Sequence, residues 1–153
     1  MLIRKPADAI FSHRIRFPHI PIKQCLRDYV RFHRTVLPYR DHYLLVRFET
    51  ATRNFGAVID ALNRKFGTNF ATFDHTPENE RECFALVQRR YEERFGGGQS
   101  IAEAVHSRPS AEKAKLKTAA RADFAAEFDG DELASLRREA SRLYETMAAG
   151  ADL

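Results

Sequence analysis

The chain has 153 residues, of which 44% are apolar and 30% charged, with a formal net charge of +4 and no tryptophan. That length suits one domain able to bury its own core, the composition is that of a globular protein, and no apolar run approaches the roughly 18 residues of a membrane-spanning helix. The N-terminus lacks the basic, apolar and small-residue succession of a secretory signal, and Cys25 and Cys83 stand far apart and outside any metal-ligand spacing, so the chain reads as a cytoplasmic protein with two reduced, half-buried thiols.

The first twelve residues, Met1-Leu2-Ile3-Arg4-Lys5-Pro6-Ala7-Asp8-Ala9-Ile10-Phe11-Ser12, run from an apolar strand into a helix. Pro6 fits the first helical turn, where its missing N–H would have no partner, and the helix is expected to reach about Arg16. Arg4 and Ser12 lie eight apart with Asp8 midway, a spacing by which a strand-to-helix turn presents a cation and a hydroxyl to one phosphate. Phe17-Pro18-His19-Ile20-Pro21 breaks the helix, because each proline pushes its predecessor out of the α region. A second helix is expected from Ile22 to Leu37, with Ile22, Leu26, Tyr29, Val30, Val36 and Leu37 at helical spacing and Pro38 ending it.

Tyr43–Phe48 is an apolar run with little alternation, as in a parallel strand buried on both faces. A helix near Arg53–Phe66 follows, with Phe55, Val58, Ile59, Leu62 and Phe66 as its inner stripe and Gly67 just past its end. Thr76-Pro77 reads as a cap and first position opening a long helix to Phe95. Gly96-Gly97-Gly98 follows a helix instead of joining a strand to one, so it reads as a flexible break rather than a phosphate loop. Ser110 caps a helix expected to reach Phe128, Asp129-Gly130-Asp131 forms a turn, and a last helix runs from Glu132 to Met147 with Leu133, Leu136, Ala140, Leu143, Tyr144 and Met147 inward. Two parallel strands and about six helices make a helix-rich α/β chain, residues 1–149 forming the domain and 150–153 a tail. Two strands alone leave unpaired edges, so a partner chain or a further N-terminal segment is expected to complete the sheet.

Charge is unevenly spread: residues 1–67 hold 13 Lys/Arg against 5 Asp/Glu, and residues 68–153 hold 12 against 16. A positive field over the half that carries the strand-turn-helix segment suits a small polyanion such as a nucleotide. The basic residues are spread along helices and no nucleic-acid-binding motif is present, which argues against nucleic acid as the partner.

The segment Arg4-Lys5-Pro6-Ala7-Asp8-Ala9-Ile10-Phe11-Ser12 resembles the Arg-x-x-x-Asp-x-x-x-Ser segment of sulfotransferases that use 3′-phosphoadenosine 5′-phosphosulfate. Tyr43–Glu49 resembles that family's apolar strand ending in aromatic-Glu, and Asn54–Asn63 the helix after it. Arg108-Pro109-Ser110, ahead of a lysine-rich helix, sits where the family has a basic phosphate-contacting loop. The resemblance covers most of residues 1–149 and implies the C-terminal part of a three-layer fold of the P-loop nucleoside triphosphate hydrolase type. It implies that Arg4 and Ser12 grip the 3′-phosphate of the donor, that Arg108 contacts phosphate, and that Phe48 stands where many members place tyrosine beside the adenine. Asp8 is expected to orient or cap rather than touch ligand, and Lys113, Lys115 and Lys117 to form a solvated helix face.

The chain departs from the family in three ways. It has no tryptophan after the Arg108 loop, Phe48 lacks the tyrosine hydroxyl, and the Lys-x-Gly-Thr/Ser-Thr-like phosphate loop that lies upstream in the family is absent, as is the upstream general base. Met1 therefore reads as an internal methionine of a longer protein. The full protein would transfer a sulfuryl group to a hydroxyl or amine of a small molecule, lipid or sugar without a metal cofactor, while this chain would hold half the donor site and have no turnover alone. The alternative is a non-catalytic nucleotide-binding or strand-pairing module. His13, His19, His33, His42, His75 and His106 show no metal-site spacing, and none is expected to be catalytic.

Overall fold

The computed structural model describes residues 1–95 and 111–153, so Gly96–Gly98, Arg108 and Ser110 lie outside the described residues. Strand β1 (Leu2–Ile3) leads into α1 (Pro6–Arg16) and α2 (Ile22–Val36), then a 3-10 segment (Leu37–His42) and strand β2 (Val46–Arg47). Helices α3 (Phe48–Arg53), α4 (Phe55–Phe66), α5 (Pro77–Phe95), α6 (Ala111–Asp129) and α7 (Ala134–Ala149) follow, α7 preceded by a 3-10 turn (Asp131–Leu133). The chain is thus helix-rich, with seven α-helices and two strands among the described residues.

The strands pair in parallel, Leu2 opposite Val46 and Ile3 opposite Arg47. Because alternate residues of a strand point to opposite faces, Leu45 joins Ile3 and Met147 in one cluster. Leu44 and Val46 join Ala51 and Ala61 in another, on the α3–α4 side. Helices therefore cover both faces of the pair, which explains why the run from Leu44 to Val46 carries no polar residue. A third cluster, centred on Ile22, Leu26, Leu133 and Ala140, packs α2 against α1 and α7. Among the described residues none of the three contains a residue of α5.

Strand β2 has neighbours on both sides. Toward β1, the Val46 amide donates to the Met1 carbonyl (3.0 Å) and the Leu44 carbonyl accepts from the Met1 nitrogen (2.7 Å). Away from it, the Arg47 amide donates to the Leu153 carbonyl (2.9 Å) and the Leu45 carbonyl accepts from Asp152 (2.8 Å). The expected second open edge is therefore covered by the last residues, which serve as a surrogate strand. Asp152 fastens them: its carboxylate accepts from the Leu45 amide at 2.7 Å and pairs with Arg40 at 2.9 Å and Lys65 at 3.4 Å. Arg40 also donates to the Gly150 carbonyl.

Several boundaries differ from the sequence-based expectation. The strand expected over Tyr43–Phe48 is only Val46–Arg47, since Phe48 already begins α3. The helix expected near Arg53–Phe66 is α4, while the short α3 before it was not expected; the two are separated at Asn54, whose φ of −150° is not helical and whose side-chain oxygen caps α4 by accepting from the Ala57 amide (3.1 Å). Of the expected inner stripe of α4, Val58 and Leu62 pack against the core, whereas Phe55 and Phe66 are 46% and 47% exposed and Gly56 and Ala61 are buried instead. Gly56 lets the Phe73 carbonyl approach so closely that a Cβ would lie 2.3 Å from its oxygen. Pro38 does not stop the chain's helical course at once, because a proline fits the first turn of the 3-10 segment. Cys25 is buried and Cys83 exposed, both free thiols rather than two half-buried ones. The expected bounds of α1, the start of α5 and the left-handed Gly67 after α4 (φ 62°) agree with the structure.

Candidate functional site

Arg4 sits at the junction of β1 and α1. Lys5 is extended (φ −52°, ψ 136°), Pro6 starts the helix, and the first helical bond runs from the Ala9 amide to the Lys5 carbonyl at 3.0 Å. No side chain caps this end. The junction is fixed from below: the Tyr29 hydroxyl donates to the Arg4 carbonyl at 2.8 Å, and the Tyr29 ring packs on His33 with centroids 3.9 Å apart. His33 Nδ1 lies 2.7 Å from the Tyr29 carbonyl. A carbonyl can only accept, so Nδ1 carries the proton of the neutral ring. Burial pushes the Tyr29 hydroxyl above its ordinary pKa and the His33 imidazole below its own. Both are therefore neutral at pH 7.

With its backbone fixed, Arg4 lays its guanidinium 4.4 Å from the centroid of the Phe48 ring. Its Nε is buried without a hydrogen-bond partner. A cavity of about 170 Å³ opens beside it, lined by Arg4, Asp8, Phe11, Lys117, Thr118 and Arg121. Helix α6 brings the last three, docked on α1 through Phe11 and Phe124 (centroids 4.8 Å), and the Arg121 guanidinium lies 5.3 Å from the Phe11 ring. Three cations and one carboxylate thus face one small space, and no ion pair joins Asp8 to any of them among the described residues. A cavity this size is below the roughly 300–1,000 Å³ of a whole small-molecule site; it fits a single anionic group. Arginine presents planar donors to phosphate oxygens, and its stacking on Phe48 holds that fork in place.

The four residues singled out from sequence fare differently. Arg4 and Phe48 are brought together. Ser12 is half-buried on α1, one turn beyond Asp8 on the same face, but it does not line the Arg4 cavity. Arg108 lies outside the described residues. Asp8 lines the cavity and caps nothing. Lys117, expected on a solvated face, is half-buried and lines the cavity with Arg121. The signal for these two was present in the sequence: Lys117, Arg121 and the apolar Phe124 fall at helical spacing, so that one face of α6 carries both cations and the ring that docks it.

Among the described residues no group of three or more His, Cys, Asp or Glu side chains could hold a metal ion, and no helix is long and apolar enough to cross a membrane. His75 serves structure, its Nδ1 accepting from the Phe55 amide at 3.2 Å at the start of α4. Compared with known proteins, the chain matches no protein-family model, no curated protein and no solved structure.

Proposed function

We propose that this chain carries the 3′-phosphate-binding half of the donor site of a sulfotransferase that uses 3′-phosphoadenosine 5′-phosphosulfate. The single observation that carries the reading is the placement of Arg4: it stands at a strand-to-helix junction, stacked on Phe48, facing a phosphate-sized cavity with Lys117 and Arg121. Three cations, of which Arg4 and Lys117 are half-buried and Arg121 exposed, converge on one small space and favour a concentrated negative charge. Helices on both faces of a parallel strand pair are compatible with a three-layer P-loop-type arrangement. Phe48 would pack on the adenine only after the Arg4 guanidinium that covers it turns toward the phosphate. Ser12 belongs to the site if the bound nucleotide extends one turn along α1, and Arg108, outside the described residues, is assigned to phosphate by the resemblance alone.

Sulfuryl transfer needs donors for the charge that develops at sulfur and a base for the acceptor hydroxyl or amine. The Arg4 cavity supplies cations for the 3′ end of the donor, and the reading expects the isolated chain to bind nucleotide without turnover. The acceptor in the full protein would be a small molecule, lipid or sugar. Free Cys25 and Cys83 fit a reducing, cytoplasmic compartment. The test is a titration of the purified chain with 3′-phosphoadenosine 5′-phosphate and with adenosine 5′-phosphate. The reading expects the 3′-phosphate to tighten binding at least tenfold; equal affinities would remove its basis.

A strand-pairing role has one observation in its favour. Strand β1 pairs with β2 on one edge and has no strand on its other edge among the described residues, and its Leu2 is 53% exposed. A strand from a partner chain or from a longer form of this protein would pair there, and a stable monomer by sedimentation would count against the partner.

A further inference from the structure

A groove of about 750 Å³ lies apart from the Arg4 cavity. It runs between the start of α1 and the outer face of α7, and it shares no lining residue with the Arg4 cavity. Its floor is apolar, with Pro6, Phe128 and Tyr144 among the lining residues. One wall is pinned by Arg137, which donates through Nη1 to the carbonyls of Phe128 and of Gly130 (2.7 Å).

Three further cations line this groove: Lys5 from the head of α1, and Arg138 and Arg142 one turn apart on α7. All three are exposed, and none forms an ion pair among the described residues. By contrast, neighbouring Arg34 is paired with Glu139. Like charges at i and i+4 on a helix repel, and Lys5 adds a third from across the groove. With Arg137 the lining holds four cations, against the carboxylates of Asp129 and Glu145. The surplus of two positive charges matches one dianion, and the volume lies within the range of small-molecule sites.

We infer that this groove is a second binding site, for a small organic phosphomonoester. The phosphate would sit between Lys5, Arg138 and Arg142, and the organic part would lie on Pro6, Phe128 and Tyr144. Inorganic phosphate would engage the cations alone and bind more weakly than an aromatic ester of the same charge.

The experiment is a titration of the isotope-labelled full chain with phenyl phosphate, and separately with inorganic phosphate, followed residue by residue in amide NMR spectra. Saturable shifts at Lys5, Ala7 and 138–142 are expected, with phenyl phosphate binding several-fold tighter. The double change Arg138→Gln with Arg142→Gln weakens that binding about tenfold or more, as loss of charge-assisted bonds does, whereas Arg4→Ala leaves it intact. Unchanged affinity in the double variant overturns the inference, as does the absence of saturable shifts at these amides. Arg4→Ala also separates the two sites: it weakens the adenine nucleotide binding of the proposed function without touching this groove. Since both α7 side chains are exposed, the variants are expected to melt with the parent, and Lys5→Gln supplies an independent check from the other wall.

Discussion

The Tyr29 hydroxyl and the Arg4 carbonyl, 25 residues apart in sequence, are joined by a 2.8 Å hydrogen bond. This contact ties the core of α2 to the one backbone position that aims Arg4. Tyr29 is buried, so Tyr29→Phe keeps the ring and removes only the donor. The expected loss is about 1 kcal/mol of stability, read from the urea midpoint. Nucleotide affinity should fall as well, because the junction carrying Arg4 loses its anchor.

Gly56 is required by packing, not by its backbone angles. A Cβ there would meet the Phe73 carbonyl oxygen at 2.3 Å, and a backbone carbonyl cannot swing aside like a side-chain tip. Gly56→Ala should destabilise the chain by about 2 kcal/mol through overpacking. A thermal melt within a degree of the parent would show that the segment before α5 yields freely.

His33 makes the fold sensitive to mild acid. Burial holds its pKa below the ordinary value, with the hydrogen bond to the Tyr29 carbonyl opposing. The unfolded chain takes up a proton near pH 6.5 while the folded chain does not. Stability is therefore full above about pH 6.5 and falls as the pH drops from there through the folded pKa. Urea midpoints at pH 7.5 and 5.5 should differ in the parent and differ less in His33→Phe; equal differences would contradict the assignment.

Asp152 acts at lower pH. Burial opposes its ionisation, but the Leu45 amide, Arg40 and Lys65 outweigh it and hold the carboxyl below its usual value. Its contribution is present above the unfolded pKa near 3.8 and is lost as the pH falls through the folded one. At neutral pH, Asp152→Asn keeps an acceptor for Leu45 but loses the charge for Arg40 and Lys65. The expected cost is about 1 kcal/mol, since the pairs are partly solvated. Hydrogen exchange should report it first at the Leu45 and Arg47 amides.

Local signals made α1, α2 and the parallel strand pair legible in the sequence. Pro6 marked the start of α1, the spacing of Ile22, Leu26, Tyr29 and Val30 marked the buried face of α2, and the apolar run before Arg47 marked a strand covered on both faces. What stayed hidden was set by distant contacts. The turn of helix from Phe48 to Arg53 stayed hidden because Phe48 reads as the end of the apolar strand run, and the break before α4 depends on the Asn54 side chain turning back to cap it. The covering of β2 by residues 152–153 requires Asp152 to meet Arg40 and Lys65, a pairing no periodicity announces. At the site, Arg4 was legible from its place between strand and proline. Lys117 and Arg121 share the helical spacing of Phe124 on α6, but that this face meets Arg4 is set by α6 docking on Phe11, which only tertiary structure supplies.

The most direct measurement is calorimetric titration of 3′-phosphoadenosine 5′-phosphate into the parent chain and into Arg4→Ala. The account predicts saturable binding by the parent, weakened about tenfold or more in the variant, as expected for a sheltered charge-assisted contact worth roughly 1.5–3 kcal/mol, with both proteins melting alike. Binding of equal strength in a folded Arg4→Ala chain would contradict the donor-site assignment, and so would a parent chain that binds no nucleotide at all.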